Sequence, residues 1–239
     1  MDDLSLYELL FISAFKKYSM GSPSFYQMLA ANSMIELKAP SEGVKYEQGA
    51  EVYPQDTFMD KAYLVMEGIL KIYRTGSNGK QYIVRLAKVG DLIAYHSIVA
   101  HEPEATACLS LTPSVLCPVS AADLNKAIAN DQELAMAVLK LSCFELKEAQ
   151  NAMLELSQIN VRGRLAGLLV KLQQLFSLEQ GQEVPVKLSR QDISVWIGTT
   201  KESVSRLMTE FRQSHLIDTS NNQLRILNKA ELDRLSKYC

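Results

Sequence analysis

The chain has 239 residues, of which 47% are hydrophobic and 22% charged, and its net charge of −2 excludes a generally polyanion-binding molecule. This balance is typical of a soluble globular protein of one or two domains. The charge is unevenly divided: residues 1–158 hold 13 Lys and Arg against 19 Asp and Glu, net −6, and residues 159–239 hold 12 against 8, net +4. An acidic front and a basic back predict two modules with different partners.

Cysteine usage and hydropathy predict a cytoplasmic protein without a membrane partner. The cysteines are sparse and form no CxxC pair, which fits a reducing compartment; they are Cys108, Cys117, Cys143 and Cys239. The apolar run Leu9–Phe15 is preceded by acids and followed by lysines, the wrong charge order for a secretory signal. No apolar run approaches the roughly 18 residues of a membrane span.

The first half of the chain changes from a helical to a strand pattern. Residues 4–32 show helical spacing of apolar positions, and short alternating segments follow to about Pro118. Two β-rich runs on either side of Asn78-Gly79 predict a hairpin. Many short strands at regular spacing predict a barrel or sandwich.

A helical pattern then runs from Ala121 to about Gln158. Residues spaced alternately four and three apart form an a/d seam over three heptads: Ala135, Leu139, Ser142, Leu146, Ala149, Met153 and Leu156. Such a helix usually packs on a copy of itself, and packing against its own barrel is the alternative. The seam is long and has one polar member, so dimerisation through Leu139, Leu146, Ala149, Met153 and Leu156 is favoured.

The basic back of the chain predicts a winged helix-turn-helix. A helix over "VRGRLAGLLVKLQQLF" and a short strand over "EVPVKLS" precede a helix that begins after the N-cap Ser189. Gly198 marks a turn, and a second helix carries the buried stripe Val204, Leu207, Met208 and Phe211. Two β-like runs around Ser220-Asn221-Asn222 would form the wing.

The polar face of the second helix allows two interpretations. Glu202 and Arg206 could form an ordinary i, i+4 surface ion pair, worth roughly 0.2–0.5 kcal/mol. In a basic helix-turn-helix, however, Arg can bind guanine bidentately and a carboxylate can accept from cytosine. The predicted DNA-binding set, which includes residues suited to phosphates, is Ser189, Arg190, Gln191, Thr200, Lys201, Glu202, Ser205 and Arg206.

The segment "LSRQDISVWIGTTKESVSRLMTEFRQSHLI" resembles the C-terminal signature of the CRP/FNR family of bacterial transcription regulators. "GDLIAYHSI", the hairpin and the seam helix resemble the same family's β-roll and dimerisation helix. The resemblance implies an α+β fold: a cyclic-nucleotide-binding-like β-roll sensor with a preceding helical segment (1–125), a long dimerisation helix (126–158) and a winged helix-turn-helix (159–239). It also implies a homodimer that binds palindromic double-stranded DNA and contacts RNA polymerase.

Glu202-Ser203-Val204-Ser205-Arg206 matches the E-x-x-S-R pattern of the FNR branch, whereas the catabolite-activator branch has Gly where Ser205 stands. The resemblance implies that Glu202 and Arg206 recognise the G·C pair of a TGA core. We therefore expect a TTGA-type palindrome rather than a TGTGA-type one.

The effector is left open by the residues of the β-roll. Ala94-Tyr95 and Glu104-Ala105-Thr106 stand where cyclic-nucleotide members have a Gly-Glu pair and an Arg-Ser pair, so we do not expect cyclic AMP binding. The first cysteine is Cys108, so we expect no iron–sulfur cluster, and Cys108 and Cys117 are predicted to be buried strand residues. A haem could use His96, although a loop histidine is the simpler interpretation. Tyr95, His96, Ser97 and Thr106 form the candidate effector pocket.

Two other classes compete with a DNA-binding regulator. A cupin-type enzyme needs several converging histidines, and the predicted barrel holds only His96 and His101. A cyclic-nucleotide module that does not bind DNA lacks its phosphate cassette here and leaves the winged helix unexplained. The sequence therefore predicts a non-enzyme, with a cyclic-nucleotide-responsive or a haem- or redox-sensing regulator as the alternative forms.

Overall fold

The computed structural model describes residues 43–220 and 223–237, so the predicted helix over 4–32, the tip of the wing and Cys239 lie outside the described residues. The chain divides into two compact units. One contains the residues up to Arg74 together with Arg85–Cys143, and the other contains Thr75–Val84 together with the residues from Phe144 onward.

Short strands form the front half, as the sequence predicts. They are β1 (Val44–Tyr46), β2 (Glu51–Tyr53), β3 (Lys61–Glu67), β4 (Ile69–Thr75), β5 (Gln81–Lys88), β6 (Leu92–Ile93), β7 (Ala107–Ser110) and β8 (Ser114–Ser120). One four-stranded sheet has the order β1-β8-β3-β6, and the other has the order β2-β7-β4-β5. β3 and β4 follow one another in the chain yet lie in different sheets, so the apolar run that contains them changes sheet at Gly68.

The hairpin predicted at Asn78-Gly79 is confirmed, since β4 and β5 are hydrogen-bonded neighbours. Asn78 holds the turn, because its side-chain oxygen accepts a hydrogen bond from the Lys80 amide at 3.0 Å. Gly79 donates its own amide to the Gly76 carbonyl at 2.9 Å. Local turn chemistry of this kind is what makes a hairpin visible in a sequence.

Among the described residues, three helices accompany the sheets: α1 (Tyr95–Ala100), α2 (Ala121–Asn130) and α3 (Gln132–Gln158). The helical pattern predicted as continuous from Ala121 is interrupted at Asp131, whose backbone is extended. The Asp131 carboxylate accepts hydrogen bonds from the amides of Glu133 and Leu134, at 2.9 and 3.1 Å. Asp131 therefore caps a new helix, and the long helix begins at Gln132 rather than at the predicted position 126.

Two apolar clusters fill the first unit. One joins β3, α1 and α2 to the first turns of α3 through residues such as Leu64, Tyr95, Leu124 and Leu134. The other lies between the sheets and contains the tyrosines Tyr53 and Tyr63 with Cys108.

The second unit carries α4 (Val161–Leu175), α5 (Arg190–Trp196), α6 (Lys201–Gln213), β9 (Ile217–Asp218), β10 (Arg225–Ile226) and α7 (Lys229–Leu235). Its buried side chains include Leu165, Leu169, Ile193, Val204, Phe211 and Leu232. The strand predicted over "EVPVKLS" is reduced to one bridge, between Glu183 and Arg225. Helix α7, which packs on α4, has no counterpart among the predicted elements.

Candidate nucleic-acid interface

Helix α5 begins at a capping box, as the sequence predicts for Ser189. The Ser189 hydroxyl oxygen accepts from the Asp192 amide at 3.0 Å, and the Asp192 carboxylate accepts from the Ser189 amide at 3.2 Å. The two bonds satisfy amides that have no partner inside the helix. The cap fixes the start of α5 and places the neighbouring residues, half-buried Arg190 and exposed Gln191, at the surface.

The turn between α5 and α6 depends on small residues. Ser194 is buried where the helices approach, and its carbonyl accepts from the Thr199 amide at 2.9 Å. Gly198 has a φ of +63°, in the left-handed region that side chains disfavour. Thr200 then caps α6 by accepting from the Ser203 amide at 3.2 Å. The predicted helix–turn–helix is therefore present.

Helix α6 has a buried and an exposed face. Val204, Leu207, Met208 and Phe211 are buried, as the apolar stripe predicts. Lys201, Glu202, Ser205 and Arg206 are exposed on the opposite side of the first two turns. The N-terminal half of a recognition helix is the part that contacts base edges in helix-turn-helix proteins.

Glu202 and Arg206 do not pair with each other in the described part of the chain, where their ion pair is not among those formed. The carboxyl of Glu202 instead accepts a hydrogen bond from its own backbone amide and one from the Thr200 side chain, and these lower its pKa. Glu202 is therefore ionised at neutral pH. Both side chains present their polar groups to solvent rather than to one another.

Two cations lie near the start of α5. Partial burial lowers the pKa of Arg190, and the neighbouring positive charge of Arg212 lowers it further. Arg212 is an exposed residue in the last turn of α6 that sequence reasoning missed, because only the fold brings it near Arg190. Two like charges held together attract an anion such as phosphate.

The segment after α6 forms the strands of the wing. β9 and β10 are antiparallel, with Asp218 opposite Arg225. Hydrogen bonds from the Ser220 hydroxyl and amide lower the pKa of Asp218, and the ion pair to Arg225 at 3.3 Å adds to this effect. The predicted wing is thus supported by the strands on both sides of residues 221–222.

Comparison with known proteins agrees with this geometry. Residues 163–235 match the family model of a Crp-like helix-turn-helix domain, and residues 43–131 match that of a cyclic nucleotide-binding domain. A fumarate and nitrate reduction regulatory protein from Vibrio cholerae is 27% identical over 208 residues, covering 86% of this chain and 80% of the relative. The nitrogen fixation regulation protein FixK of Bradyrhizobium diazoefficiens is 25% identical over 210 residues, with 87% of each chain covered.

The fold is shared with solved structures. That of FixK2 from Bradyrhizobium japonicum has a TM-score of 0.75 at 23% identity, covering 85% of this chain and 99% of that one. The chain belongs to the CRP/FNR family of transcription regulators. The predicted family, α+β fold and class of DNA-binding regulator are therefore confirmed.

In this CRP/FNR regulator, the residues predicted to line an effector pocket fall into two places. Tyr95 and Ser97 are buried in α1, where the Ser97 hydroxyl donates to the Glu102 carbonyl at 2.6 Å. His96 is exposed between them and packs its ring on Tyr95. Thr106 lies elsewhere, with its hydroxyl donating to the Glu104 carboxylate at 2.7 Å.

The sequence analysis assigns Glu104 to the effector region but makes no prediction about its burial. Its side chain is 3% exposed, and its second carboxylate oxygen, Oε2, has no hydrogen-bond partner among the described residues. The family resemblance predicts that Glu104 lies in the region where cyclic-nucleotide-binding members have their Arg-Ser pair, and the structure shows that this acid is buried.

The cysteines behave as predicted for structural residues. Cys108 lies in β7 and Cys117 in β8, and both are fully buried. Burial raises the pKa of the Cys108 thiol well above its ordinary value, so the reactive thiolate is suppressed. Among the residues that the structure describes, no three His, Cys, Asp or Glu side chains converge as a metal site would require.

Helix α3 leaves its predicted seam uncovered. Leu146 is 60% exposed and Met153 is 72% exposed, although both are apolar. Ser142, the polar member of the seam, is within 3.5 Å of the Tyr95 hydroxyl and donates to the Val138 carbonyl at 3.0 Å. Within the described residues, no helix is both long and apolar enough to cross a bilayer, and α3 is no exception.

Proposed function

We propose that this CRP/FNR regulator is a homodimer that recognises a palindrome of TTGA-type half-sites through α6. The observation that carries the proposal is the exposed, mutually unpaired polar face of α6, with ionised Glu202 and Arg206 one turn apart. Val204 and Leu207 are buried on the opposite side, so the polar face is held toward solvent.

The chemistry of that face fits a G·C base pair. A guanidinium donates two parallel hydrogen bonds to guanine O6 and N7, and a carboxylate accepts one from cytosine N4. Ser205 donates its hydroxyl to the Lys201 carbonyl at 2.9 Å, which leaves its oxygen as an acceptor toward the groove. The combination of Glu202, Ser205 and Arg206 supports the TTGA type that the FNR-branch pattern implies.

The residues around the helix ends supply contacts to the DNA backbone. Lys201 and Thr200 lie at the N-terminus of α6, where the helix dipole also favours an anion. Ser189, Arg190 and Gln191 lie at the corresponding end of α5. Such contacts fix the position of the protein on the duplex without selecting its sequence.

Dimerisation through α3 supplies the two-fold symmetry that a palindrome requires. The exposed seam residues Leu139, Leu146, Met153 and Leu156 support it, together with Ala149. Pairing would bury apolar side chains that the single chain leaves in water, a gain of roughly 25 cal/mol per Å².

The β-roll is proposed to control DNA binding through an effector other than cyclic AMP. Buried Glu104 supports this exclusion, since the family resemblance places it in the region of the phosphate-binding Arg-Ser pair and an acid there supplies no cation. A haem- or redox-sensing regulator is the remaining alternative, and exposed His96 is its candidate ligand. As a transcription regulator of bacterial type, the protein would act in the cytoplasm with RNA polymerase as a partner.

Selection of binding sites from random duplexes, followed by affinity measurement, tests the proposal. We expect TTGA half-sites in a palindrome. Arg206→Ala should lose about 1–3 kcal/mol of discrimination at one base pair and retain weaker, salt-sensitive binding. Arg206→Lys is the matched control for charge, because it keeps the cation and removes the bidentate geometry.

Recovery of TGTGA half-sites, or of no palindrome, would contradict the proposal. So would an Arg206→Ala variant that keeps the full base preference. If Arg206→Lys discriminates as well as the unchanged protein, Arg206 contributes charge alone and the assigned base contact is wrong.

A further inference from the structure

The side chain of Arg164 donates hydrogen bonds to carbonyl groups at the end of α3 and in the turn that precedes α6. The Arg164 guanidinium, on α4, donates from Nε to the Ile197 carbonyl at 2.7 Å and from Nη2 to the Gly198 carbonyl at 3.3 Å. Its Nη1 donates to the carbonyls of Ile159 and Leu156, at 2.6 and 3.4 Å. Four acceptors from two separate parts of the chain thus share one planar group.

These carbonyls need such a partner. The last carbonyls of a helix have no amide to pair with, and they form the negative end of its dipole. Leu156 and Ile159 mark the end of α3, and Ile197 and Gly198 follow the end of α5. A guanidinium suits the place, because its donors are arranged in a fixed plane, whereas an ammonium is a single point.

A steric contact adds to the polar one. A Cβ atom on Gly198 would lie 2.8 Å from Cδ2 of Leu156, so the Leu156 side chain occupies the space above the turn. Leu156 is also the last residue of the predicted seam and is 40% exposed. The side chain that would end the dimer contact therefore touches the turn that begins the recognition helix.

We infer that Arg164, together with Leu156, fixes the direction of α6 relative to the end of α3, so that pairing of two α3 helices sets the distance between the two recognition helices. The inference rests on the proposed function. Arg164 is a positioning residue: within the described chain its hydrogen bonds go to the turn before α6 and to the end of α3, not to the residues assigned to DNA.

The surroundings of Arg164 allow it to be changed without opening the core. Arg164 is half-buried and lines a cavity of about 180 Å³, together with Gly163, Gly167, Lys171 and Ser236. The nearby Lys171 is paired with Glu155 at 2.7 Å and does not compete for the carbonyls. Truncation at this position would give the carbonyls access to water rather than leave an apolar void.

The test compares duplexes that carry the selected half-site once with duplexes that carry it twice. In the second set, the two sites are separated by one helical turn, about 10–10.5 base pairs, or by one or two base pairs more or less. Fluorescence anisotropy gives the affinity of the full-length protein for each. We expect Arg164→Ala to bind single sites within about twofold of the unchanged protein, and paired sites at least about tenfold more weakly. Its spacing preference should be flattened.

Arg162→Ala is the matched control. Arg162 lies on the same helix and pairs with Glu210 at 2.9 Å, an ion pair to a residue of α6 and not to the end of α3. It should keep the unchanged ratio of paired to single affinity. Arg164→Lys should behave like Arg164→Ala, and it decides the question if thermal unfolding shows that the alanine variant is not folded.

Equal losses on single and paired sites would overturn the inference, since Arg164 would then support the helix-turn-helix alone. An unchanged spacing preference would overturn it as well. Failure of the proposed function is distinguishable, because the unchanged protein would then show no preference for paired sites.

Discussion

Gly198 meets two separate demands at one position. Its φ of +63° favours a residue without a side chain, and the Leu156 side chain occupies the volume that a Cβ would need. Gly181 shares the first demand alone, since its φ is +80° and nothing lies within 4 Å of a Cβ built there. Comparing Gly181 with Gly198 therefore separates the effect of backbone strain from that of a steric clash.

We expect Gly181→Ala to cost about 1–2 kcal/mol of unfolding free energy, the usual penalty of a left-handed backbone for a residue with a side chain. Gly198→Ala should cost more, because the 2.8 Å contact with Leu156 is added. Adding Leu156→Ala to Gly198→Ala should recover the steric part and leave the backbone part. Urea unfolding at one fixed protein concentration measures all three. Equal costs for the two glycines would contradict the steric argument.

Single residues were predictable where the sequence neighbours carry the signal. Ser189, Gly198 and the α6 stripe follow from caps, turns and periodicity, which are local. Arg164 and Arg212 were not predictable as functional residues. The Ile197 carbonyl that Arg164 binds lies 33 positions away in the sequence, and Arg212 acts on Arg190, which lies on another helix. Burial of Glu104 likewise depends on which strands surround it.

Helix α3 is the element on which the proposed dimer depends. The helix also exposes two apolar side chains that do not follow the a/d spacing of the seam, Phe144 and Leu154. A residue of this kind can serve as a control for a seam residue, because its side chain is about as exposed but lies outside the a/d spacing. Leu154 is 53% exposed, close to the 60% of Leu146.

Leu146→Glu and Met153→Glu are expected to give monomers, because a carboxylate in a paired seam would be desolvated next to its own copy. Leu154→Glu, the matched control, should remain dimeric. Sedimentation of each purified variant over a range of concentrations gives the oligomeric state. A dimer that survives both seam substitutions would mean that the dimer does not form through the seam.

Elements with strong local patterns were predicted well, and elements made by tertiary context were not. The Asn78-Gly79 hairpin and the long seam helix were predicted from the sequence pattern. The break at Asp131 was hidden, because apolar spacing continues through it. The strand predicted over "EVPVKLS" does not form. Among the described residues, the segment pairs with the wing only through the bridge between Glu183 and Arg225 and a hydrogen bond from the Val184 amide to the Leu224 carbonyl.

Over the whole molecule, the basic part of the sequence is also the part proposed to bind DNA. The net −6 of residues 1–158 disfavours phosphate, and the net +4 of residues 159–239 favours it. Within the acidic half, the acid Glu104 is buried and supplies no cation for a phosphate. A nucleotide effector would have to overcome both.

We therefore expect that cyclic AMP at about 1 mM raises neither the thermal midpoint of the protein nor its affinity for the selected operator. A ligand that bound the folded state at 100 times its Kd would add about 2.7 kcal/mol of stability, which a thermal shift would reveal. Thermal scanning and anisotropy, with and without the nucleotide, are the measurements. A clear stabilisation by cyclic AMP would contradict the interpretation of Glu104.

The hairpin tip Thr75–Val84 belongs to the same compact unit as the residues from Phe144 onward, although residues 85–143 of the other unit separate the two segments in the sequence. Burial raises the pKa of Tyr82 in this tip, and the charge of Glu155 on α3 raises it further. A fragment cut near Phe144 to isolate the DNA-binding half would therefore leave behind ten residues that complete it. The solubility and proteolytic resistance of such a fragment would describe an incomplete unit rather than a natural domain.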